Sequence, residues 1–127
     1  FLNAPNCNYY VVERNNELVG CGGFWIKPEE SKAALVWGMV RSDRQKMGAG
    51  SFLLLSRLQE IARTLPDCSI GLDTSQHPVQ FFEKYGFEVQ KIIENHYAKG
   101  LHRHDMLLQL NDERRRWIIK QMGKFAG

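Results

Sequence analysis

Between Ala33 and Asp73 the chain reads as strand, helix, strand, and that order restricts its fold more than any other feature. Ala33 to Val40 is a strand candidate. After a polar, glycine-containing stretch from Arg41 to Gly50, Leu54, Leu58, Ile61 and Leu65 recur at i, i+4, i+7 and i+11. That spacing predicts an amphipathic helix from about Gly50 to Leu65. Pro66-Asp67 ends it, and Cys68 to Asp73 reads as a short buried strand. A helical crossover of this kind joins strands that lie parallel in one sheet.

The flanking segments add antiparallel pieces. Tyr9 to Arg14 alternates aromatic or β-branched residues with polar ones, Asn15-Asn16 turns the chain, and Leu18 to Ile26 follows as a second strand, a hairpin signal. Gly20, Gly22 and Gly23 interrupt that strand and suggest a bulge, while Lys27 to Ser31 forms a loop. Downstream, Pro78 suits the first position of a helix carrying Val79 to Tyr85 and stopped at Gly86. Phe87 to Ile93 and Asp105 to Leu110 are strand candidates, linked by a loop that contains Gly100 and His102. The expected class is α/β or α+β, with a mixed and mainly antiparallel sheet flanked by helices.

Composition sets the outer bounds. The 127 residues suffice for one hydrophobic core, and no apolar run approaches the roughly 18 residues of a membrane span. No charged segment followed by an apolar one opens the chain, which argues against secretion. Cys7, Cys21 and Cys68 are odd in number and lack a CxxC pair, so neither a disulfide framework nor a metal site is expected and a reducing cytoplasm fits best. The net charge of +3 lies wholly in the tail, because residues 1–110 hold 12 basic and 12 acidic side chains. The tail from Asn111 to Gly127 reads as a basic amphipathic helix that Asn111 or Asp112 can cap. Its Arg114, Arg115 and Arg116 read as a solvated face, and nucleic acid is not the expected partner.

The stretch with chemical content runs from Val36 to Gly50, a strand passing through a basic turn into a helix. Free N–H groups at a helix start attract anions, and glycines at 48 and 50 leave room for phosphate oxygens. Arg41, Arg44 and Lys46 add positive charge. The pattern is not a Walker A loop, which needs Gly-Lys followed by Ser or Thr, nor a dinucleotide fingerprint, since Leu53 stands where a third glycine belongs. A tight structural turn is the competing reading.

Gln45-Lys46-Met47-Gly48-Ala49-Gly50 resembles the Q/R-x-x-G-x-G/A signature of the GNAT N-acetyltransferase superfamily. A second stretch, Phe81-Phe82-Glu83-Lys84-Tyr85-Gly86-Phe87, is similar to that family's F-Y-x-K-x-G-F helix end, about 30 residues downstream as in the family. The resemblance implies that Gln45, Lys46, Met47, Gly48, Ala49, Gly50 and Ser51 bind the pyrophosphate of acetyl-CoA. It implies that the strand end at Met39 and Val40 splays to bond the pantetheine arm, with the Val40 N–H near the developing oxyanion. Ser75 falls where many members carry a cofactor-binding Asn, and Phe82 replaces the tyrosine that commonly protonates the leaving thiolate. Tyr85, three residues on, is the substitute acid, with a core role as the alternative. The family's first strand and two helices do not precede the hairpin, so the expectation is an N-terminally incomplete acetyltransferase domain over 1–110, followed by the tail helix over 111–127.

His96, His102 and His104 flank the loop between the last two strands, which in this family borders the acceptor, and His102 is the candidate acceptor-site residue. The implied reaction is direct transfer of an acetyl group from acetyl-CoA to a primary amine of a small molecule or protein, in a ternary complex. A non-catalytic acyl-CoA binding or sensing module is the alternative, motivated by Phe82. A homodimer is compatible with either reading.

Overall fold

A computed structural model describes residues 7–14, 17–40 and 49–126, with side chains for 21–36 and 50–124. Strand β1 (Cys7–Arg14) pairs antiparallel with β2 (Glu17–Lys27), and β2 with β3 (Lys32–Val40), as the alternating N-terminal pattern requires. Helix α1 (Ala49–Thr64) then crosses over to β4 (Cys68–Thr74), which lies parallel to β3. A short α2 (Val79–Lys84) leads into β5 (Glu88–Ala98), β6 (Leu101–Leu110) and α3 (Asp112–Ala126). The described strands form one mixed sheet in the order β1-β2-β3-β4-β6-β5.

The core lies on one face of that sheet. Phe24 and Ile26 of β2, Ala33 and Leu35 of β3, Ile70 of β4 and Leu108 of β6 all point to it and are buried. Leu54, Leu58 and Ile61, the positions that announced α1, meet them there, and Ile118 of α3 joins the same cluster. Cys68 is 2% exposed within it, and burial pushes its thiol pKa up, as befits a packing residue. No helix among the described residues is long and apolar enough to cross a membrane.

Two local readings change, and the glycine stop of α2 gains a second reason. Pro78 sits just before α2 as its N-cap residue rather than at the first helical position. Gly86 has φ +102°, and a side chain there would collide with the Arg114 guanidinium, so the glycine stop of α2 is also a packing requirement. The expected loop with His102 is instead the continuation of a hairpin: β5 and β6 run on to Ala98 and Leu101, so His96 lies on β5 and both His102 and His104 on β6. Residues 94–104 carry no alternating apolar pattern because side-chain bonds hold this part of the hairpin, not a core face.

The arginines of α3 also do more than face solvent. The Asn111 side chain caps the helix by accepting from the Arg114 N–H at 2.8 Å. Arg114 lies over the Trp117 ring, 5.1 Å from its centroid. Arg115 donates to the carbonyls of Leu65 (2.8 Å) and Ala62 (3.4 Å), which the end of α1 leaves without helical partners, and pairs with Asp67 at 2.7 Å. Of the three, Arg116 is exposed.

Candidate functional site

The parallel ladder between β3 and β4 is short. Only Lys32–Ser69, Ala33–Ile70 and Ala34–Gly71 are partners, although β3 continues to Val40 and β4 to Thr74. Beyond Ala34 and Gly71 no further residues of β3 and β4 are partners, although both strands continue. A bulge lies just past this point. Along β2 and β3 the register passes from Gly23–Val36 to Cys21–Met39, so Gly22 alone opposes residues 37 and 38.

A cavity of about 380 Å³ opens where this pairing ends, on the sheet face away from the core, lined by Trp25, Val36, Gly71, Asp73, Arg103 and Asp105 among others. Its polar end follows from register. Asp73 of β4 and Asp105 of β6 are direct partners, and two carboxylates so placed repel unless each has a donor. The Tyr97 hydroxyl donates to Asp73 Oδ2 at 2.6 Å, and Arg103 Nε donates to Asp105 Oδ1 at 2.7 Å. Partial burial together with the bond to Asp73 pushes the Tyr97 phenol up to about 12, so it remains a donor at neutral pH. Arg103 is raised as well, chiefly by its bond to Asp105. One guanidinium against two carboxylates leaves this end of the cavity with a net negative charge, suited to an ammonium group.

The hairpin that carries Tyr97 is fastened to the segment after β4. Gln76 donates through Nε2 to the Gly100 carbonyl and accepts from the His102 N–H, both at 2.8 Å. Asn95, at φ +55°, accepts from the Gly100 N–H through Oδ1, and its own N–H donates to His102 Nδ1 at 3.0 Å. His102 therefore accepts through Nδ1 and carries its proton on Nε2. These bonds give His102 a place in shaping the hairpin, two positions along β6 from the His104 ring, whose Nδ1 is buried and meets no partner among the described residues.

Of the residues singled out from sequence, Tyr85 and Ser51 are brought together. Tyr85 is 7% exposed, packs against Phe81 and Trp117, and donates to Ser51 Oγ at 2.7 Å. Phe82 is half-buried and meets Phe81 and Phe87 edge-on, at centroid distances of 5.3 and 5.9 Å. Ser75 is half-buried directly after β4. Met39, Val40 and Ala49 are described in backbone only, Gly50 is the second residue of α1, and Gln45, Lys46, Met47 and Gly48 lie outside the described residues.

Sequence reasoning passed over Asp73, Tyr97, Arg103 and Asp105. Asp73 was visible as the polar end of an apolar strand, but nothing local signals that it meets Asp105, because that pairing depends on β6 entering the sheet beside β4.

A family model described as an acetyltransferase (GNAT) domain matches residues 5–89. A Bacillus subtilis (strain 168) protein described as a candidate ribosomal protein bS18-alanine N-acetyltransferase is 26% identical over 102 residues, which cover 76% of this chain. The matched region spans 64% of that relative's length. Among solved structures, the ribosomal-protein-S18-alanine N-acetyltransferase of Escherichia coli superposes with a TM-score of 0.74 at 18% identity, over 86% of this chain and 72% of its own. An aminoglycoside 6'-N-acetyltransferase complexed with coenzyme A gives 0.71 at 20% identity, over 83% and 73% of the two chains.

Proposed function

The chain belongs to the GNAT acetyltransferase family, whose model covers residues 5–89, and from that premise we propose that it moves the acetyl group of acetyl-CoA to a primary amine of a small molecule or protein, by direct attack in a ternary complex. The observation that carries this reading is the early end of the β3–β4 ladder at Ala34 and Gly71. Past that point β4 no longer partners β3, and the wedge between them fits a long, thin cofactor arm with amides of its own. In this reading the arm lies along Met39 and Val40, with Ser75 beside it, and the pyrophosphate takes N–H groups and charge from the stretch Gln45 to Ser51.

When bound, acetyl-CoA supplies a thioester carbonyl open to attack by an amine. The remaining work falls to this chain's residues. The carboxylate of Asp73 holds the incoming ammonium at the end of the wedge and accepts its proton, freeing the nitrogen lone pair. Tyr97 keeps that carboxylate in place through its 2.6 Å bond, and Arg103 holds Asp105 so that the second carboxylate does not compete. The Val40 N–H faces the developing oxyanion, and as the C–S bond breaks the surplus proton on the attacking nitrogen passes through solvent to the leaving thiolate, giving the amide and free CoA thiol. Trp25 and Val36 give the cavity an apolar wall for the rest of the acceptor. The similar proteins named above are described as acting on an alanine amine and on an aminoglycoside, which supports an amine acceptor. The unpaired thiols of Cys21 and Cys68 fit a cytoplasmic location.

One observation favours a second reading, a non-catalytic acyl-CoA binding or sensing module. Phe82 has no proton to give, and the Tyr85 hydroxyl is committed to Ser51. Calorimetry with acetyl-CoA, followed by thiol release across an amine panel that includes an alanine-terminated peptide and an aminoglycoside, separates the two. Binding with turnover supports the enzyme, and binding without turnover on any amine supports the sensor. No affinity for acetyl-CoA overturns both.

A further inference from the structure

Arg57 is the buried charged residue of the described structure, 4% exposed on the face of α1 that packs against the sheet. Its Nη1 donates to the carbonyl of Gly23 on β2 at 3.2 Å and to that of Val36 on β3 at 3.4 Å, while Nε donates to Leu53 within its own helix at 3.4 Å. Burial lowers its pKa to about 10, so at neutral pH the guanidinium stays charged inside the core. A methionine would occupy similar space without desolvating a charge, so the guanidinium is explained by the acceptors it meets rather than by packing.

Those acceptors stand at a particular place. Gly23 and Val36 form the last regular pair before the β2–β3 bulge, and Val36 lies two residues past Ala34, the final residue of β3 that β4 holds. At Val36 the strand has left one neighbour and is about to lose register with the other. Arg57 ties both carbonyls at that point to a rigid helix, and α1 is also the element whose first turn carries Ser51.

We propose that Arg57 is a positioning residue for the acetyl-CoA site: by holding the Gly23 and Val36 carbonyls it fixes the bulge and aims residues 37–40 away from β4. This rests on the acetyl-CoA reading above. The guanidinium touches neither substrate in this arrangement. It sets the angle at which β3 leaves the sheet, and through α1 it links that angle to the helix start beneath the pyrophosphate.

The test compares Arg57→Met and Arg57→Lys with wild type in the full chain, using acetyl-CoA as the calorimetric probe, amide hydrogen exchange and thermal unfolding. Arg57→Met is expected to bind acetyl-CoA at least tenfold more weakly, with faster exchange concentrated in residues 36–40. Arg57→Lys keeps the charge but not the planar fork and is expected to fall between the two. A folded variant of either kind that binds acetyl-CoA within twofold of wild type overturns the proposal, even if its Tm drops, because packing alone then explains the residue. If Arg57→Met does not fold, Arg57→Lys decides by the same criterion. Should wild type itself not bind acetyl-CoA, the functional reading fails rather than this one.

Discussion

Neighbouring residues of β4 and β6 belong to two different surfaces of the same sheet. Ile70 and Leu108 look toward α1 and α3 and are at most 1% exposed, whereas Asp73, Asp105 and Leu107 look toward the cavity on the other face. The first face is apolar and covered by helices. The second is mixed, carries a hydrogen-bonded set of charges, and no helix among the described residues packs on it. The same backbone ladder serves both, since period-two alternation sends successive side chains to opposite sides. Stability is therefore concentrated on one face, and the other is free to hold groups that a core would exclude.

The sharpest way to break this comparison is to truncate two adjacent residues of β6. Leu108→Ala should cost about 2–5 kcal/mol, as for other buried leucines, while Leu107→Ala on the opposite face should cost less than about 1 kcal/mol. Chemical denaturation of both variants measures the difference. Equal costs would mean that the second face is packed against something, and the contrast would collapse. Next in size is Asp73→Asn, which keeps an acceptor for Tyr97 but removes the base. Turnover should fall about 10²-fold, in the range general-base catalysis supplies, with acetyl-CoA affinity unchanged. A normal rate in the Asp73→Asn variant would assign deprotonation to solvent.

The two faces differed in how legible they were. The covered face announced itself, because Leu54, Leu58 and Ile61 repeat at helical spacing and the strands that meet them read correctly to within a few residues. The parallel β3–β4 pair followed from the crossover. The cavity face was nearly silent. Asp73 and Asp105 are 32 positions apart in the chain and become partners only through the sheet order, so no local pattern marks them. Residues 94–104 read as a loop because their order comes from Gln76, Asn95 and His102 bonding to one another, and such polar bonds leave no periodic trace. Tyr85 illustrates the middle case. Its position suggested a proton donor, and what the structure adds is the partner, Ser51, that occupies its hydroxyl.

A smaller effect tests whether α3 supports the covered face through its arginines. Arg115→Met would leave the Leu65 and Ala62 carbonyls at the end of α1 without their donor, at a cost of about 1–2 kcal/mol. The ion pair with Asp67 adds little, because Asp67 is well exposed. Arg116→Ala, on an exposed side chain, should leave Tm unchanged. Thermal unfolding of the two variants side by side would show whether the cluster acts through one residue or through its summed charge, and equal losses would favour the charge.

The smallest expected loss lies at Tyr97, on the open face. Its phenol pKa is raised from an ordinary 10 to about 12 in the folded chain. The protonated phenol is thus the form that folding favours, and its contribution is fully present below pH 10 and lost as pH rises through about 12. Because Tyr97 is 42% exposed, solvent screening holds that contribution below about 1 kcal/mol. Tyr97→Phe should therefore lower stability slightly at neutral pH and flatten the alkaline limb of the stability curve. In the proposed reaction it should reduce turnover only a few-fold, since Asp73 keeps its charge and loses a donor that orients it. A stability curve that keeps its full alkaline slope in Tyr97→Phe would place the titrating group elsewhere and detach the hairpin from the carboxylate it is argued to steady.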